Sequence, residues 1–192
     1  VLEVAGLNRT TRPREEFFDK VQLVFQDPQS ALNPRRKVAS LVTQALEARP
    51  HSLSKTEHKA LVTALLAKVM LPPEVAERFP DQLSGGQKQR VNIARALCSN
   101  PSLLIADEIV SGLDVSVQAQ ILELLRELRR EARFSLLLVS HDLAVVRHVC
   151  DRALVMCKGE IVEQGPVEEV FANPQHPYTR ELVMAAHGGA GG

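Results

Sequence analysis

Hydrophobic residues follow two rhythms along this chain: short apolar runs, and longer stretches in which they recur every three or four positions. The short runs predict strands at 21–26 (VQLVFQ), 102–107 (SLLIAD) and 134–140 (FSLLLVS). The second and third runs are so continuously apolar that we expect both faces of those strands to be buried, as in a parallel sheet.

The longer rhythm predicts helices between these strands. One helix is expected across 38–48, and the capping-box sequence SKTE (54–57) begins another. A third starts at Ser84 and stops before Asn100-Pro101. A fourth carries an apolar stripe at Val117, Ile121, Leu124, Leu125 and Leu128. Strands that alternate with helices in this way predict an α/β fold with a parallel sheet.

The last fifth of the chain has a different pattern. The sequences RALVMC (152–157) and GEIVEQG (159–165) predict a hairpin that turns at Lys158-Gly159. The final GGAGG (188–192) is expected to be flexible because of its composition.

Charge and composition exclude several classes of partner. The chain has 23 basic and 23 acidic residues, and its few aromatic residues are not interleaved with basic ones, so we expect no nucleic-acid partner. Three isolated cysteines have no metal or disulfide spacing and fit a reducing cytosol. The apolar runs are too short to span a bilayer.

Polar residues that suit phosphoryl transfer follow the predicted strands. Asp107 and Glu108 end one strand and Ser140-His141-Asp142 ends the next, and ligands gather at the carboxyl ends of parallel strands. Asp107 could bind Mg²⁺, Glu108 could deprotonate a water, and His141 could contact the charge that develops on a γ-phosphate. Gln26, at the end of another strand, would be a neutral ligand for metal or water.

Each of these residues also has an ordinary structural explanation. An Asp-Glu pair after a strand is usually a solvated turn, and a Ser-His-Asp triplet is more often a helix cap than a reactive group. Gly85-Gly86, after the helix-starting Ser84, suits an anion site but is more often a tight turn. The phosphate-binding sequence G-x-x-x-x-G-K-[ST] occurs nowhere in the 192 residues, so the source of a phosphate stays open.

The order and spacing of these elements resemble those of the nucleotide-binding subunits of ATP-binding cassette (ABC) transporters. The stretch LSGGQKQRVNIARAL (83–97) matches the family's signature motif almost residue for residue. The other matching sequences, in the family's order, are VFQDP (24–28, glutamine loop), LLIADE (103–108, Walker B strand), SGLD (111–114, D-loop) and SHD (140–142, switch histidine).

The resemblance implies a P-loop NTPase-like (RecA-like) parallel-sheet core with an inserted ABC-type α-helical subdomain, N-terminally incomplete in this sequence. The implied organisation has five parts. They are 1–30, the remnant of the ATPase core; 31–100, the helical subdomain with the signature motif; 101–158, the rest of the ATPase core; 159–187, a C-terminal hairpin and importer-type tail; and 188–192, a flexible end.

The resemblance also implies ATP and Mg²⁺ as cofactors and a role for each site residue. Asp107 would hold Mg²⁺ with Gln26, Glu108 would be the general base, and His141 would steady the γ-phosphate. Gln26 would also link the metal and the attacking water to the helical subdomain. Ser84, Gly85, Gly86 and Gln87 would grip the ATP of a partner subunit, and Asp114 would communicate across the dimer.

The implied partners are a second ABC ATPase subunit, paired head-to-tail, and transmembrane permease subunits, with an extracytoplasmic substrate-binding protein as an indirect partner. The expected location is peripheral, on the cytoplasmic side of the membrane. The strings QDPQSALNPR (26–35), DVSVQAQIL (114–122) and NPQHPYTREL (173–182) resemble importers of dipeptides, oligopeptides and nickel. His176, between two prolines, predicts structural packing rather than a metal ligand.

Two other functions stay open: a cassette-like component of a complex that cleaves carbon–phosphorus bonds, and a non-catalytic module that lends its signature motif to a partner cassette. The sequence departs from the family in lacking the P-loop, and Val1 would fall shortly after the P-loop helix. We therefore expect a truncated cassette, inactive and poorly soluble in isolation. Ile109-Val110 and Gly112 also depart from the common family residues, and we expect them to tune the activity.

Overall fold

The computed structural model describes residues 3–4, 7–8, 14–47, 53–132 and 134–188. The chain divides into two compact units, residues 1–139 and residues 140–192. The predicted domain boundaries are drawn on functional grounds and stay predictions. The predicted flexible end lies outside the described residues, apart from Gly188.

The first unit is organised around a parallel sheet. Its elements begin with β1 (Glu3–Val4), β2 (Leu7–Asn8) and α1 (Arg14–Lys20), where β1 and β2 pair antiparallel. The sheet consists of β3 (Val21–Val24), β4 (Leu103–Asp107) and β5 (Ser135–Val139), with β4 in the centre. Both pairings are parallel, and Val24, Ala106 and Leu138 lie level with one another. The predicted α/β class with a parallel sheet is confirmed.

All regular elements described between β3 and β4 are helical. They are α2 (Pro28–Ala31), α3 (Val38–Val42), α4 (Lys55–Lys68) and α5 (Gly85–Leu97), with 3₁₀-helices at Gln44–Leu46, Pro73–Glu77 and Pro80–Gln82. A further helix, α6 (Val115–Ala132), connects β4 to β5. The apolar stripe predicted for α6 is confirmed, because Ile121, Leu124, Leu125 and Leu128 are buried.

The predicted helix across 38–48 is wrong in its extent. Helix α3 ends at Val42, and a separate 3₁₀-helix follows from Gln44 to Leu46. At the break, the Thr43 hydroxyl donates to the carbonyl of Ala39 (3.0 Å) and lies 2.9 Å from Nε2 of His58. A threonine that bonds back to the preceding turn bends or weakens a helix, which accounts for the interruption.

The predicted strand at 21–26 is also too long. Strand β3 ends at Val24 because the next segment turns into α2, whose N-cap is Asp27. The Asp27 carboxylate accepts hydrogen bonds from the backbone N–H groups of Gln29 (2.8 Å) and Ser30 (3.3 Å). Gln26 therefore lies in a loop beyond the strand rather than at the strand's end.

The sheet has one buried and one partly exposed face, so the predicted burial of both faces is wrong within the described residues. Val24, Leu104 and Ala106 have no exposed surface, and α5 packs against β3. On the opposite face, Leu137 and Val139 remain 43% and 47% exposed. Leu23, on the same face of β3, is also partly exposed, so this face presents apolar side chains to solvent.

The second unit is a helix-backed hairpin. It contains α7 (Leu143–Val149), β6 (Arg152–Cys157), β7 (Glu160–Pro166), α8 (Val167–Ala172) and α9 (Pro177–Gly188). The predicted hairpin is confirmed: β6 and β7 pair antiparallel around Lys158 and Gly159, whose positive φ values of 52° and 86° suit a two-residue turn. Its core is formed by Ala153, Val155, Val167 and Val170.

No helix among the residues that the structure describes combines the length and apolar character needed to cross a bilayer.

The exposed sheet face predicts self-association of the 192-residue chain. Replacing Leu137, a partly exposed residue of β5, by lysine should raise the soluble fraction because it removes apolar surface without creating a cavity. Leu104→Lys, at a position in β4 with no exposure, is the matched control and should prevent folding because it buries an unpaired charge. The measurements are soluble yield and size-exclusion chromatography. A monomeric parent chain that unfolds cooperatively would contradict the prediction.

Candidate functional site

Parallel strands bring two of the predicted catalytic residues together. Gln26 follows β3 and Glu108 follows β4, so both leave the sheet at the same edge. The Gln26 side-chain amide donates a hydrogen bond from Nε2 to Oε2 of Glu108 (2.8 Å) across 82 residues of sequence. A neutral donor thus holds one oxygen of the carboxylate in place.

The backbone of Glu108 is fixed by the sheet and adopts an uncommon conformation. Its N–H donates to the carbonyl of Val139 (2.9 Å), which extends the β4–β5 ladder by one residue. Its φ angle is +45°, in the left-handed region that non-glycine residues rarely occupy. Such a conformation costs roughly 1–3 kcal/mol and often marks functional sites.

Asp107 lies beside this pair as the last residue of β4, with an exposed side chain. A carboxylate and a glutamine amide oxygen are donors that Mg²⁺ accepts. The residues that the structure describes include no cluster of three or more His, Cys, Asp or Glu side chains that could hold a metal. Asp107 and Gln26 supply such donors at the same edge of the sheet, and their binding of Mg²⁺ stays a prediction.

The signature stretch opens helix α5 with a complete capping box. Ser84 Oγ accepts from the N–H of Gln87 (3.3 Å), and Gln87 Oε1 accepts from the N–H of Ser84 (3.1 Å). The amides of Gly85 and Gly86, in the first turn, take no part in the box. Ser84 and Gly85 are exposed at the positive end of a 13-residue helix, which favours contact with an anion.

Packing within the chain also requires these glycines. A Cβ atom on Gly86 would lie 2.6 Å from Cγ1 of Val117 in α6, far inside van der Waals contact. A Cβ on Gly85 would lie 3.3 Å from Cδ2 of Leu113. The start of α5 therefore approaches the start of α6 closely, an arrangement that the sequence analysis did not foresee.

Asp114 has a local role in the structure. Its Oδ1 accepts from the hydroxyl of Ser116 (2.7 Å) and the N–H of Val117 (3.0 Å), at the N-terminus of α6. These hydrogen bonds, that of Ser116 above all, hold the pKa of the Asp114 carboxyl below its usual range. Gly112, two residues earlier, has a φ of +74°, which explains a glycine there.

His141 belongs to the second unit, where it is an exposed residue between two capping groups. Ser140 Oγ accepts from the N–H of Asp142 (3.0 Å), and Asp142 Oδ1 accepts from the N–H groups of Ala144 (2.8 Å) and Val145 (3.4 Å). Asp142 is thus the N-cap of α7, the ordinary role weighed for this triplet. Within the first unit the structure joins Gln26 with Glu108. The role of His141 stays a prediction.

The tail that follows the hairpin is anchored by Glu163. Its two carboxylate oxygens accept from the N–H groups of Gln175 (2.8 Å) and His176 (2.9 Å). His176 Nδ1 in turn accepts from the N–H of Tyr178 (3.2 Å), and Arg180 donates to the carbonyls of Pro174 and Gln175. His176 therefore holds a turn, in agreement with the structural explanation preferred for it.

Comparison with known proteins identifies the family. The family model described as "ABC transporter" matches residues 3–111 of the chain. The chain belongs to the ABC transporter family. It is 52% identical over 184 residues to the probable peptide ABC transporter ATP-binding protein y4tS of Sinorhizobium fredii, covering 96% of this chain and 51% of that protein. It is 48% identical over 165 residues to the oligopeptide transport ATP-binding protein OppF of Escherichia coli, covering 86% of this chain and 49% of OppF.

Solved structures agree with the ABC assignment. The structure of cbiO1 from Clostridium perfringens, part of the ABC transporter complex cbiONQ, matches with a TM-score of 0.71 at 31% identity, over 81% of this chain and 60% of cbiO1. The ATP-binding cassette MJ0796, solved as a dimer bound to ADP and Pi, matches with a TM-score of 0.71 at 27% identity, over 85% of this chain and 72% of that one. The P-loop NTPase-like fold is thereby confirmed, and the chain spans about half the length of the curated relatives it matches.

The close approach at Gly86 predicts a packing defect that a second substitution repairs. Gly86→Ala should lower the free energy of unfolding by about 1–3 kcal/mol because the new methyl group overpacks the contact with Val117. Adding Val117→Ala should recover at least half of that loss, as measured by denaturant unfolding of the double-mutant cycle. In contrast, a Cβ atom on Gly112 would have no neighbour within 4 Å, so Gly112→Ala should lower the stability only through its positive φ. Val117→Ala should therefore not rescue Gly112→Ala. Equal rescue of both would show that the contact is not the cause.

The Glu163 anchor predicts acid-sensitive docking of the tail. Hydrogen bonds, that from the Gln175 N–H above all, lower the pKa of the Glu163 carboxyl. A carboxyl group whose pKa is lower in the folded state than in the unfolded state stabilises the fold at pH values above the unfolded-state pKa. This contribution is lost as the pH falls through the folded-state pKa. NMR protection factors of the Gln175 and His176 amides should therefore drop in acid. In Glu163→Gln they should be low already at neutral pH, whereas Glu160→Gln should behave like the parent protein.

Proposed function

We propose that this chain is the ATP-binding and ATP-hydrolysing part of a subunit that powers an ABC importer of peptides. The observation that carries the proposal is the hydrogen bond between Gln26 and Glu108 at the edge of the sheet, beside Asp107. The names of y4tS and OppF support peptides as the cargo. Neither relative is named for nickel, the other predicted cargo, or for cleavage of phosphonates, the alternative function.

Glu108 is the general base in this proposal. Its carboxylate accepts the proton of a water that attacks the γ-phosphate of ATP. Gln26 donates a hydrogen bond to Oε2 of the same carboxylate. The hydrogen bond restricts rotation of the carboxylate, so less orientational freedom is lost when the reaction begins.

Asp107, with the amide oxygen of Gln26, would hold Mg²⁺ at the phosphates. The ion supplies positive charge that neutralises the phosphate oxygens. The exposed position of Asp107 at the end of β4 suits a ligand that shares its ion with substrate and water. His141 would contact a γ-phosphate and stabilise charge in the transition state.

The signature residues act on a second nucleotide. Ser84, Gly85, Gly86 and Gln87 would contact the γ-phosphate of an ATP bound to a partner ABC subunit paired head-to-tail. The exposed first turn of α5 supports this role, because its free amides and positive dipole favour an anion. Asp114, which caps the adjacent helix, would transmit the partner's state to this surface.

The subunit would work on the cytoplasmic face of the membrane, bound to transmembrane permease subunits through the helical region 31–80. A substrate-binding protein on the other side would select the peptide and act on this chain only through the permease. A second candidate is a non-catalytic module that lends its signature residues to a complete cassette, a role that the exposed first turn of α5 would serve equally well.

Replacing the base separates the two functions. Glu108→Gln keeps the shape of the side chain and should lower Mg²⁺-dependent phosphate release by the assembled transporter by about 10²–10⁴-fold, the usual contribution of a general base. Binding of ATP should persist. Glu123→Gln, an exposed acid of α6 paired with Arg126, is the control and should leave hydrolysis unchanged. Full hydrolysis and uptake in Glu108→Gln would support the non-catalytic module instead.

A further inference from the structure

The segment that carries Gln26 is held at both ends by two side chains of α5. Asn92 Nδ2 donates a hydrogen bond to the carbonyl of Phe25 (3.3 Å). Arg95 Nη1 donates one to the carbonyl of Ala31 (2.5 Å). Arg95 Nη2 also donates to Asn92 Oδ1 (2.7 Å), so the Asn92–Arg95 pair forms one connected unit. The first and last residues of segment 25–31 are therefore fastened to the C-terminal half of α5.

The burial of the pair makes these hydrogen bonds effective. Asn92 has no exposed surface, and burial lowers the pKa of the Arg95 guanidinium. The Arg95 guanidinium carbon lies 5.8 Å from the ring centroid of Phe25, within range of a cation–π contact. Hydrogen bonds from a charged donor in a partly dehydrated site are stronger than exposed neutral ones. The Asn92–Arg95 pair is therefore suited to hold the backbone of segment 25–31 in one conformation.

The two anchor points enclose the residue that reaches Glu108. Gln26 follows Phe25 directly, and Asp27 stabilises the turn to Ala31, whose N–H donates to the Asp27 carbonyl (3.2 Å). Gln26 itself is exposed, so packing around its side chain does not fix its position. Its contact with Glu108 depends on where the backbone of segment 25–31 is held.

We infer that Asn92 and Arg95 are positioning residues that hold Gln26 against Glu108. Helix α5, which carries the signature residues at its N-terminus, would thereby also set the distance between Gln26 and Glu108. It would do so through Asn92 and Arg95, which lie further along the helix. The consequence for turnover rests on the proposed ATPase function. The ordering of segment 25–31 does not, and can be measured separately.

Two substitutions remove the anchors with little change in size. Asn92→Asp keeps an oxygen for Arg95 but replaces the donor to Phe25 by an acceptor. Arg95→Lys keeps the charge but lacks the planar fork that reaches both Ala31 and Asn92. Arg90→Lys is the matched control: Arg90 also lies in α5, and it donates to the Val69 carbonyl (3.0 Å) and to Gln120 Oε1 (3.1 Å) rather than to segment 25–31.

The first measurement is hydrogen exchange of the purified protein. In Asn92→Asp and Arg95→Lys, the amides of Gln29, Ser30 and Ala31 should exchange about tenfold faster, as expected when one hydrogen bond to a charged or buried group is lost. Arg90→Lys should lower the overall stability to a similar extent and leave these amides unchanged. Equal acceleration in all three variants, or in none, would overturn the inference.

The second measurement is ATP turnover by the assembled transporter. Asn92→Asp and Arg95→Lys should lower kcat about tenfold and leave the KM for ATP unchanged, because the pair acts on hydrolysis rather than on binding. In a Gln26→Ala background neither substitution should lower kcat further. An undiminished effect in that background would show that the pair does not act through Gln26, which overturns the inference.

The two measurements distinguish this inference from the proposed function. If Glu108→Gln hydrolyses ATP normally while Asn92→Asp still loosens segment 25–31, the proposed role of Glu108 fails and the anchoring of the segment is supported. If Glu108→Gln is inactive and exchange of the segment does not change, the ATPase stands and the positioning role is excluded.

Discussion

Parallel pairing of β3, β4 and β5 is the constraint on which the candidate site depends. Strands that run in the same direction release their following residues at the same edge, so Gln26 and Glu108 meet although 82 residues separate them. The same ladder continues one residue past β4 and fixes the Glu108 backbone through the carbonyl of Val139. Without this register, neither the hydrogen bond nor the left-handed turn at Glu108 would have a fixed place.

Helix α5 builds the rest of the site around that edge. Its first turn approaches α6 so closely that Gly86 has no room for a side chain, and its C-terminal half carries the Asn92–Arg95 pair that holds segment 25–31. One rigid helix thus contacts the D-loop region at one end and the loop of Gln26 further along. A displacement of α5 would therefore disturb both places.

The sequence predicted the α/β class, the capping box at Ser54, the helix start at Ser84 and the hairpin at Lys158-Gly159, because local chemistry determines these features. It also named Gln26 and Glu108, because residues after apolar strands can be read from the pattern. It missed the break at Thr43, the end of β3 before Asp27 and the exposed sheet face. Those features depend on tertiary contacts or on what covers a surface. The periodicity of apolar residues contains no information about either. The role of Asn92 and Arg95 was hidden for the same reason: their partners are backbone carbonyls, which leave no mark in the sequence.

The glycines of the signature stretch illustrate how two requirements can fall on the same residues. An anion site needs exposed amides at a helix start, and Ser84 and Gly85 provide them. Close packing needs the absence of a side chain, and the contact of Gly86 with Val117 imposes that independently, whereas Gly85 is only tightly spaced against Leu113. A loss of function on replacing Gly86 would therefore not identify a phosphate contact by itself. Only a variant that restores the packing, with Val117 shortened to alanine, separates the fold's requirement from the ligand's.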